Sequence, residues 1–424
     1  MMRITGLITE YNPFHNGHKY HIEEAKRLTK ADYIVVVMSG DFVQRGAPAC
    51  MDKYLRTEMA LSCGADIVVE LPVLFATASA EYFALGAVKI LDSLGFVDSI
   101  CFGSELGEIT PLEEMAEKLL TETTNYKNTL ASYLQNGDTY PVARKKALLS
   151  ELPDSIHEQY EHILASPNNI LGMEYIKALK LLGSSMKPYT IKRKTAAYHE
   201  QELNTEISSA TSIRNEFSKN RVELLETTVP PRVYELMREY YHKRFPITAD
   251  DFSSEIYYQL LFSTPDSLKQ YLDISEDLSL RIWNSINEFE STTQFIQCIK
   301  SKNYTMTRIS RCLNHILLQI KQDDLHPNTN DQNTTTLLNN RALPLYIRIL
   351  GLRKEASFLL KKKSVDNTLP LITKVADAKQ QLSEEAFRML ELDIKASTLY
   401  QNKIYEKYQI RLAGEYKQGI IIKD

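Results

Sequence analysis

The chain contains 424 residues, of which 43% are hydrophobic and 25% are charged, as in an ordinary soluble globular protein. This length allows two or three domains with a sizeable core. No apolar run approaches the roughly 18 residues needed to span a membrane as a helix, so we expect no membrane-spanning helix.

Cysteine usage points to a reducing compartment. Five cysteines occur without C-x-x-C spacing, at positions 50, 63, 101, 298 and 312. This scatter favours reduced thiols over a disulfide framework or a zinc site. Residues 1–6 also lack the long apolar segment of a signal peptide. We therefore expect a cytoplasmic protein.

The net charge of −4 conceals an uneven distribution. Residues 301–424 contain 20 Lys and Arg against 13 Asp and Glu, a net charge of +7, which leaves −11 for residues 1–300. A basic C-terminal part on an acidic protein is the pattern expected of a segment that binds a polyanion. Solvated helix faces produce the same imbalance, so charge alone favours nucleic acid only slightly.

The first predicted element is an apolar strand from Ile4 to Ile8, and the pair Asn12-Pro13 ends it. His15, Gly17 and His18 then open an amphipathic helix. The free N–H groups and the positive dipole end make a helix N-terminus a place for phosphate. The two imidazoles, three residues apart, share one face of the first turn. Each can donate a hydrogen bond to a phosphate oxygen.

Two other interpretations of these histidines fit the same residues. The imidazoles could cap the helix or satisfy polar groups of the core. Alternatively, His15, His18 and His21 could hold a metal ion, which is less favoured because no cysteine lies nearby to complete the site. Short motifs carry a false-positive risk. The residues alone therefore support only a phosphate-handling hypothesis.

Later parts of the chain repeat the strand-and-helix alternation. Apolar runs with the character of buried strands recur at Tyr33–Met38, Ile67–Leu71, Ile100–Phe102 and Tyr189–Ile191. Alternation of such strands with helical patterns predicts an α/β fold with a parallel sheet covered on both faces. Right-handed crossovers bring the loops after the strands to one edge, where ligands bind in open sheets.

The loops after these strands are polar. The segment 39–48 contains Arg45, and Lys53 and Arg56 follow it; each cation is either solvated or part of the site. The loop after the fourth strand begins with Gly103. A glycine there would let the backbone approach a flat ring closely.

Two further segments precede helices. Asn168 and Asn169 stand at a helix entrance, where asparagine commonly acts as a cap; beside an active site their amides could also contact a base or a ribose. Ser208 or Ser209 would cap the next helix. The same hydroxyl groups could instead form a second phosphate cradle, with Arg214 reaching into it.

Past about residue 225 the strand signals stop and helical spacing dominates. Within residues 300–313, cations, an aromatic residue and hydroxyl groups crowd the start of an apolar helix. Interleaved basic and aromatic residues can hold phosphates and stack bases, although a solvated helix start has the same composition. The candidate nucleic-acid contacts here are Lys302, Arg308 and Arg311.

The pair of motifs at 15–18 (HNGH) and 207–214 (ISSATSIR) resembles the HxGH-type and ISSTxIR-type motifs of the nucleotidyltransferase superfamily, with Ala210 inserted before Thr211. Nearly the whole chain resembles the bacterial tRNA(Met) cytidine acetate ligase family. Six segments in matching order carry this resemblance: EYNPFHNGH at 10–18, MSGDFVQRGAPA at 38–49, FGSE at 102–105, SPNNILGMEY at 166–175, KPYTIKR at 187–193 and SATSIR at 209–214.

The resemblance implies a fold and an activity. It implies a Rossmann-like nucleotidyltransferase domain with a parallel sheet at 1–225, followed by a mostly α-helical, tRNA-binding domain at 226–424. The implied enzyme is an ATP-dependent ligase that forms acetyl-adenylate from acetate and ATP. It then acetylates N4 of the wobble cytidine of elongator tRNA(Met), with release of AMP and pyrophosphate. Mg²⁺ would neutralise the pyrophosphate, held mainly by phosphate oxygens and water.

Site residues follow from the same two lines of reasoning. We expect His15, His18 and Arg214 to be catalytic and Arg45 to hold acetate. The resemblance implies ATP contacts from Ile8, Thr9, Glu10, Tyr11, Asn12, Pro13, Phe14, His15, Asn16, Gly17, His18, Lys19, Tyr20, His21, Gly103, Asn168, Asn169 and Arg193. Ser208 and Ser209 are expected to add their hydroxyl groups to the phosphate site. No protein ligand to a metal is expected.

Two other functions fit parts of the pattern. One is a nucleotidyltransferase that joins a nucleotide to a small cofactor precursor, whose product would be a dinucleotide-like molecule. The other is a tRNA- or nucleotide-binding protein without catalysis. The presence of His15, His18 and Arg214 argues against the second.

Overall fold

The structure is a computed structural model that describes residues 2–193, 208–326, 338, 341–361 and 369–424. Ile207, the first residue of the second motif, lies outside the described residues. The strands are β1 Ile4–Thr9, β2 Tyr33–Ser39, β3 Phe42–Val43, β4 Ala47–Pro48, β5 Ile67–Leu71, β6 Ser99–Ser104, β7 Lys187–Lys192, β8 Ile347–Arg353, β9 Leu371–Ile372 and β10 Ile421–Lys423.

One large sheet forms the centre of the molecule, with its main strands in the order β10-β8-β5-β2-β1-β6-β7 and β9 paired to β8. β1 pairs in parallel with β2 on one side and with β6 on the other. All five predicted strands are present and parallel to one another, which confirms the predicted fold class. The loops after β1, β2, β6 and β7 therefore meet at the same edge.

The prediction that strand signals stop near residue 225 is wrong. β8 pairs antiparallel with β5, and β10 pairs parallel with β8. The segment of β8 is a short apolar run with arginines at 348 and 353. Periodicity alone does not separate such a run from a piece of buried helix, and its partner strand lies far away in the sequence.

Helices cover both faces of the sheet. One face packs on α4 and α9, and the other packs on α1 and α2. The helices are α1 Asn16–Thr29, α2 Lys53–Ser62, α3 Val73–Ala76, α4 Ala80–Ser93, α5 Thr110–Thr121, α6 Thr124–Gln135, α7 Tyr140–Leu149, α8 His157–Ala165, α9 Pro167–Leu181, α10 Ala210–Ser218, α11 Pro231–Tyr240, α12 Ser253–Leu261, α13 Pro265–Leu268, α14 Glu276–Ser285, α15 Thr292–Ile299, α16 Met306–Leu318, α17 Gln322–Leu325, α18 Ala378–Gln381 and α19 Glu384–Tyr408.

The core continues from the sheet into the later helices. The apolar cluster on the α4 face includes Ile90 and Leu91, and it also includes residues of α12, α14 and α16. Among the described helices, none is long and apolar enough to cross a bilayer. All five cysteines lie within the described ranges, and each is a free thiol.

Candidate active site

The N-terminus of α1 is built by the two histidines of the first motif. His15 is the N-cap residue, and its Nδ1 accepts a hydrogen bond from the Gly17 N–H at 3.0 Å. In return, His18 Nδ1 accepts from the His15 N–H at 3.3 Å. The two rings stack with their centroids 3.7 Å apart. The motif is thus a reciprocal cap made by imidazoles, which satisfies two N–H groups of the first turn.

The cap determines which nitrogen of each ring carries the proton, and burial keeps both rings neutral. Because each Nδ1 is an acceptor, a neutral ring carries its proton on Nε2. Burial, followed by the charges of Arg193 and Arg214, lowers the pKa of His15 to about 3. Burial also lowers the pKa of His18 well below its usual value. At neutral pH the site therefore presents two Nε2–H donors and no imidazolium. The capping interpretation and the phosphate interpretation are compatible, because capping uses Nδ1 alone.

His21 lies one turn further along α1. Burial, and then the charge of Arg193, lowers the pKa of its imidazole to about 4. Its Nε2 is buried and has no hydrogen-bond partner among the described residues. In the described part of the chain, no group of three or more His, Cys, Asp or Glu is arranged to hold a metal ion. The three histidines therefore form a row of neutral imidazoles along α1.

Arg214 connects the two motifs across 202 residues of sequence. It lies on α10, whose N-cap Ser209 accepts the Ser212 N–H at 3.1 Å. Its guanidinium donates to the Asn12 carbonyl oxygen at 2.6 Å and to Thr211 Oγ1 at 3.2 Å. Burial is the main cause that lowers its pKa. The fold thus places a cation against the loop that leads to the two histidines. Ser208, the other predicted hydroxyl, is buried just before the cap.

The opposite side of the site lies at the ends of β6 and β7. Arg193 follows β7 directly, and its Nη1 donates to Asn168 Oδ1 at 3.3 Å. Gly103, near the end of β6, lies beneath this arginine: a Cβ atom there would lie 3.1 Å from Arg193 Cγ. The absence of a Cβ atom at Gly103 therefore makes room for the side chain of Arg193.

Asn169 supports the loop after β6. Its side chain is 2% exposed, and its Oδ1 accepts the N–H groups of Glu105 and Leu106 at 3.0 and 3.2 Å. Its Nδ2 donates to the Ile163 carbonyl at 3.3 Å. Glu105 in turn caps α9 by accepting the Asn169 N–H at 2.9 Å. Asn169 therefore shapes the site, while Asn168 faces Arg193.

Arg45 lies at the tip of the β3–β4 hairpin and is exposed. The neighbouring Gln44 N–H donates to Glu10 Oε1 at 2.9 Å, which ties the hairpin to the first loop. Arg45 also acts on the site electrostatically, because its positive charge is one of the causes that lower the pKa of Arg214. Ser310 Oγ donates to the Gly46 carbonyl at 2.6 Å. The hairpin therefore bridges the histidine loop and α16.

The three candidate nucleic-acid contacts around α16 have different surroundings. Lys302 is exposed. Arg308 lies over the ring of Tyr304 at 5.2 Å and donates to the Asp273 carbonyl at 3.2 Å. Arg311 is paired with the Asp273 carboxylate at 3.1 Å, and only 14% of its side chain is exposed. Arg311 therefore holds the fold together more than it offers a charge to solvent.

Lys53 and Arg56 are neither solvated nor exposed to a ligand, because both are fully buried. Lys53 belongs to a buried charge cluster that we define as Lys53, Glu70, Arg348 and Glu415. Sequence reasoning missed this cluster. The available signal was a charged residue inside each of two apolar strands, Glu70 in IVVEL and Arg348 in IRILGLR.

The fold and the site together are those of the nucleotidyltransferase family. After its first strand, a mostly parallel sheet carries a helix whose N-terminus holds two stacked imidazoles, and an arginine from a second motif contacts the loop before them. The model of the family described as HIGH Nucleotidyl Transferase matches residues 2–414.

Named relatives narrow this class further. A protein named tRNA(Met) cytidine acetate ligase from Alkaliphilus metalliredigens is 42% identical over 410 residues, 94% of this chain and 94% of the relative. Crystal structures of Thermotoga maritima TmcAL, one apo and one bound with alpha-thio ATP, are 31% identical to this chain. Each alignment covers 100% of this chain and 100% of the Thermotoga maritima chain, with TM-scores of 0.89 for the apo form and 0.87 for the bound form. The chain belongs to the tRNA(Met) cytidine acetate ligase family, as its six sequence segments predict.

Proposed function

We propose that this protein is an ATP-dependent ligase that activates acetate as acetyl-adenylate and transfers the acetyl group to N4 of the wobble cytidine of elongator tRNA(Met). The observation that carries the proposal is the pair of neutral Nε2–H donors of His15 and His18, with Arg214 against the same loop. Family membership supplies the acceptor, because relatives of this chain carry the name tRNA(Met) cytidine acetate ligase.

In the first step an acetate oxygen attacks the α-phosphorus of ATP. A new P–O bond forms, the bond to the bridging oxygen breaks, and pyrophosphate leaves. His15 and His18 donate through Nε2 to phosphate oxygens on which negative charge develops. Arg193 and Arg214 balance the charge of the triphosphate. Positioning and charge stabilisation suffice for this step, so the protein need supply no covalent group.

In the second step the N4 amine of cytidine attacks the acetyl carbonyl carbon of the mixed anhydride. The bond from that carbon to the AMP oxygen breaks, AMP leaves, and the amine loses a proton. A base in a single-stranded anticodon loop can be splayed out for this reaction without opening a duplex. The exposed Arg45 lies on the hairpin beside the first loop, and we assign it to the acetate carboxylate.

Mg²⁺ enters the proposal as part of the nucleotide substrate. Two carboxylates of the loops after β1 and β2 are already engaged: Glu10 accepts the Gln44 N–H, and Asp41 accepts the Lys53 N–H at 2.8 Å and the Ser397 hydroxyl. Phosphate oxygens and water are therefore the ligands that the ion would keep, which suits its reluctance to dehydrate.

One assay tests activation, transfer and acceptor class together. The protein is incubated with labelled acetate, ATP and bulk tRNA. We expect label in tRNA, as N4-acetylcytidine, together with equal amounts of AMP and pyrophosphate. Without tRNA we expect acetate-dependent exchange of labelled pyrophosphate into ATP. A dinucleotide-like product would instead indicate a nucleotidyltransferase acting on a cofactor precursor, and no turnover of ATP would indicate a binding protein.

We further propose that the part of the chain from residue 226 onward binds tRNA, with Lys302 and Arg308 among its phosphate contacts. Replacing both with glutamine should weaken tRNA binding and lower the slope of log affinity against log salt by about 2, because each phosphate contact contributes about 0.9. Pyrophosphate exchange should stay unchanged. Binding is measured by filter retention over a range of salt concentrations.

The matched control for this surface is Lys127→Gln on α6. Its side chain is 63% exposed, and its ion pair with Glu122 is long, at 3.9 Å. This variant should keep the wild-type salt slope. A wild-type slope in the Lys302→Gln/Arg308→Gln variant would show that tRNA binds elsewhere.

A further inference from the structure

Arg56, on the first turn of α2, has an unusual set of partners for a fully buried arginine. Its Nη1 donates to the carbonyl oxygens of Glu10 at 2.7 Å and Ser39 at 3.0 Å. Its Nε donates to the Met51 carbonyl at 2.9 Å, and its Nη2 donates to the Gly40 carbonyl. Within the described part of the chain it forms no ion pair. The hydrogen bonds that its side chain makes to the described residues all go to backbone carbonyl oxygens.

Three of these carbonyl groups, those of Glu10, Ser39 and Gly40, lie where β1 and β2 separate. β1 and β2 stay in register up to the pair Thr9 and Met38. Beyond that pair β1 and β2 no longer pair with each other; one backbone continues into the histidine loop and the other into the hairpin of Arg45. Buried carbonyl oxygens need replacement donors. The rigid planar fork of Arg56 supplies them and thereby sets the distance between the two strand ends.

Two other contacts hold the same loop further along. Arg214 donates to the Asn12 carbonyl at 2.6 Å, and the Cys50 N–H donates to Asn12 Oδ1 at 2.8 Å. Arg56 alone of these three donors acts at the first residue after β1. A shift at that point would carry through the loop to the imidazole of His15.

The buried charge cluster holds α2, the helix that carries Arg56, in place. Lys53, one turn earlier, is paired with Glu70 at 2.7 Å and with Glu415 at 3.1 Å. Arg348 joins the same two carboxylates, with a distance of 2.9 Å to Glu70. Arg348 and Glu415 come from the last eighty residues of the chain. The C-terminal strands therefore help to hold α2, and with it Arg56, against the edge of the sheet where the site lies.

We propose that Arg56 is a positioning residue for nucleotide activation: by clamping the carbonyl groups of Glu10, Ser39 and Gly40, it aims the Nε2–H donors of His15 and His18. The inference rests on the proposed function, because it assigns Arg56 a part in the same step. Arg56 does not touch the nucleotide. It acts through the loop, and small displacements of donors are costly to rate, up to about a hundredfold for 1 Å.

The test begins with Arg56→Lys, which keeps the charge but cannot reach three chain segments at once. We expect kcat for acetate-dependent pyrophosphate exchange to fall at least about tenfold, while KM for ATP changes less than about threefold. The matched control is Arg244→Lys. Arg244 also holds the start of α2, through Asp52 at 2.7 Å, but contacts no carbonyl of the loop. Its exchange rate should stay within about twofold of wild type.

A double-mutant cycle separates positioning from a general loss of structure. With His18→Asn already present, Arg56→Lys should cost at least about threefold less than it does alone, because a donor that it aims is gone. Equal losses in both backgrounds would overturn the inference. If Arg56→Lys does not fold, Arg56→Gln takes its place, and a failure of both to fold would also overturn it, because Arg56 would then serve the whole fold.

A readout without activity keeps this inference distinct from the proposed function. The nitrogen-15 resonances of the His15 and His18 rings should shift in Arg56→Lys and stay in place in Arg244→Lys. Unchanged resonances in Arg56→Lys would overturn the positioning role whatever the activity. Absence of acetate-dependent exchange in the wild-type protein would refute the proposed function and leave this comparison to decide the role of Arg56.

Discussion

Replacing His18 with asparagine should lower acetate-dependent adenylate formation at least about tenfold, since a donor to a developing negative charge is worth about 1.4 kcal/mol or more. Asparagine places its Oδ1 where Nδ1 of the imidazole accepts the His15 N–H at 3.3 Å. It therefore keeps the cap while it removes the Nε2–H donor and the ring contacts of the imidazole. The measurement is exchange of pyrophosphate into ATP with acetate present and tRNA absent.

Two companion variants make this result specific. His18→Ala removes the cap as well as the donor, along with ring contacts to Tyr11 and Phe14 at centroid distances of 4.8 and 5.6 Å. It should lose at least as much activity and also some stability. His162→Asn changes an exposed histidine of α8 and should behave as wild type. A wild-type exchange rate in His18→Asn would remove His18 from the catalytic residues.

The largest effect on stability is expected from Arg348→Met. The Arg348 guanidinium contacts Glu70 at 2.9 Å, Glu415, and the Tyr54 hydroxyl at 2.9 Å, and only 3% of its side chain is exposed. Removing it leaves two buried carboxylates with Lys53 as their remaining cation. Breaking a buried ion pair in this way costs about 3–5 kcal/mol in free energy of unfolding. Urea denaturation at neutral pH measures the loss.

A neighbouring arginine provides the control for this variant. Arg353, at the end of the same strand, pairs with Glu355 at 3.2 Å, and both side chains are partly exposed. Arg353→Met should cost less than about 1 kcal/mol, because solvent screens a surface pair. Similar losses in the two variants would show that the buried charge cluster contributes nothing special to stability.

The same cluster predicts a dependence on acid. Burial by itself raises the pKa of Glu415, but Lys53 and Arg348 outweigh it and lower the pKa to about 2, from an ordinary value of 4.5. The stability from this pairing is complete above pH 4.5 and is lost as pH falls towards 2, since the unfolded chain binds the proton first. The difference between wild type and Arg348→Met should therefore shrink over this range. A constant difference would contradict the assignment.

The central sheet shows which strands can be predicted from the local sequence pattern and which cannot. The five predicted strands are runs of apolar residues buried on both faces, so their pattern needs no knowledge of partners. β8 is equally apolar but short, and its place beside β5 depends on an antiparallel pairing across some 280 residues. For that reason the prediction that strands end near residue 225 was wrong, although the later part of the chain is mostly helical as predicted.

Some features of the candidate site also follow from local sequence, and others depend on contacts between distant segments. The sequence by itself determined the strand, the turn and the histidine-capped helix at residues 4–29, because capping and apolar periodicity are local properties. Only the tertiary structure decided that Arg214 reaches the histidine loop, that Asn169 holds the loop after β6, and that Lys53 and Arg56 are buried. A charged group stays inside a protein only where partners from distant segments surround it, and residue spacing carries no record of those partners.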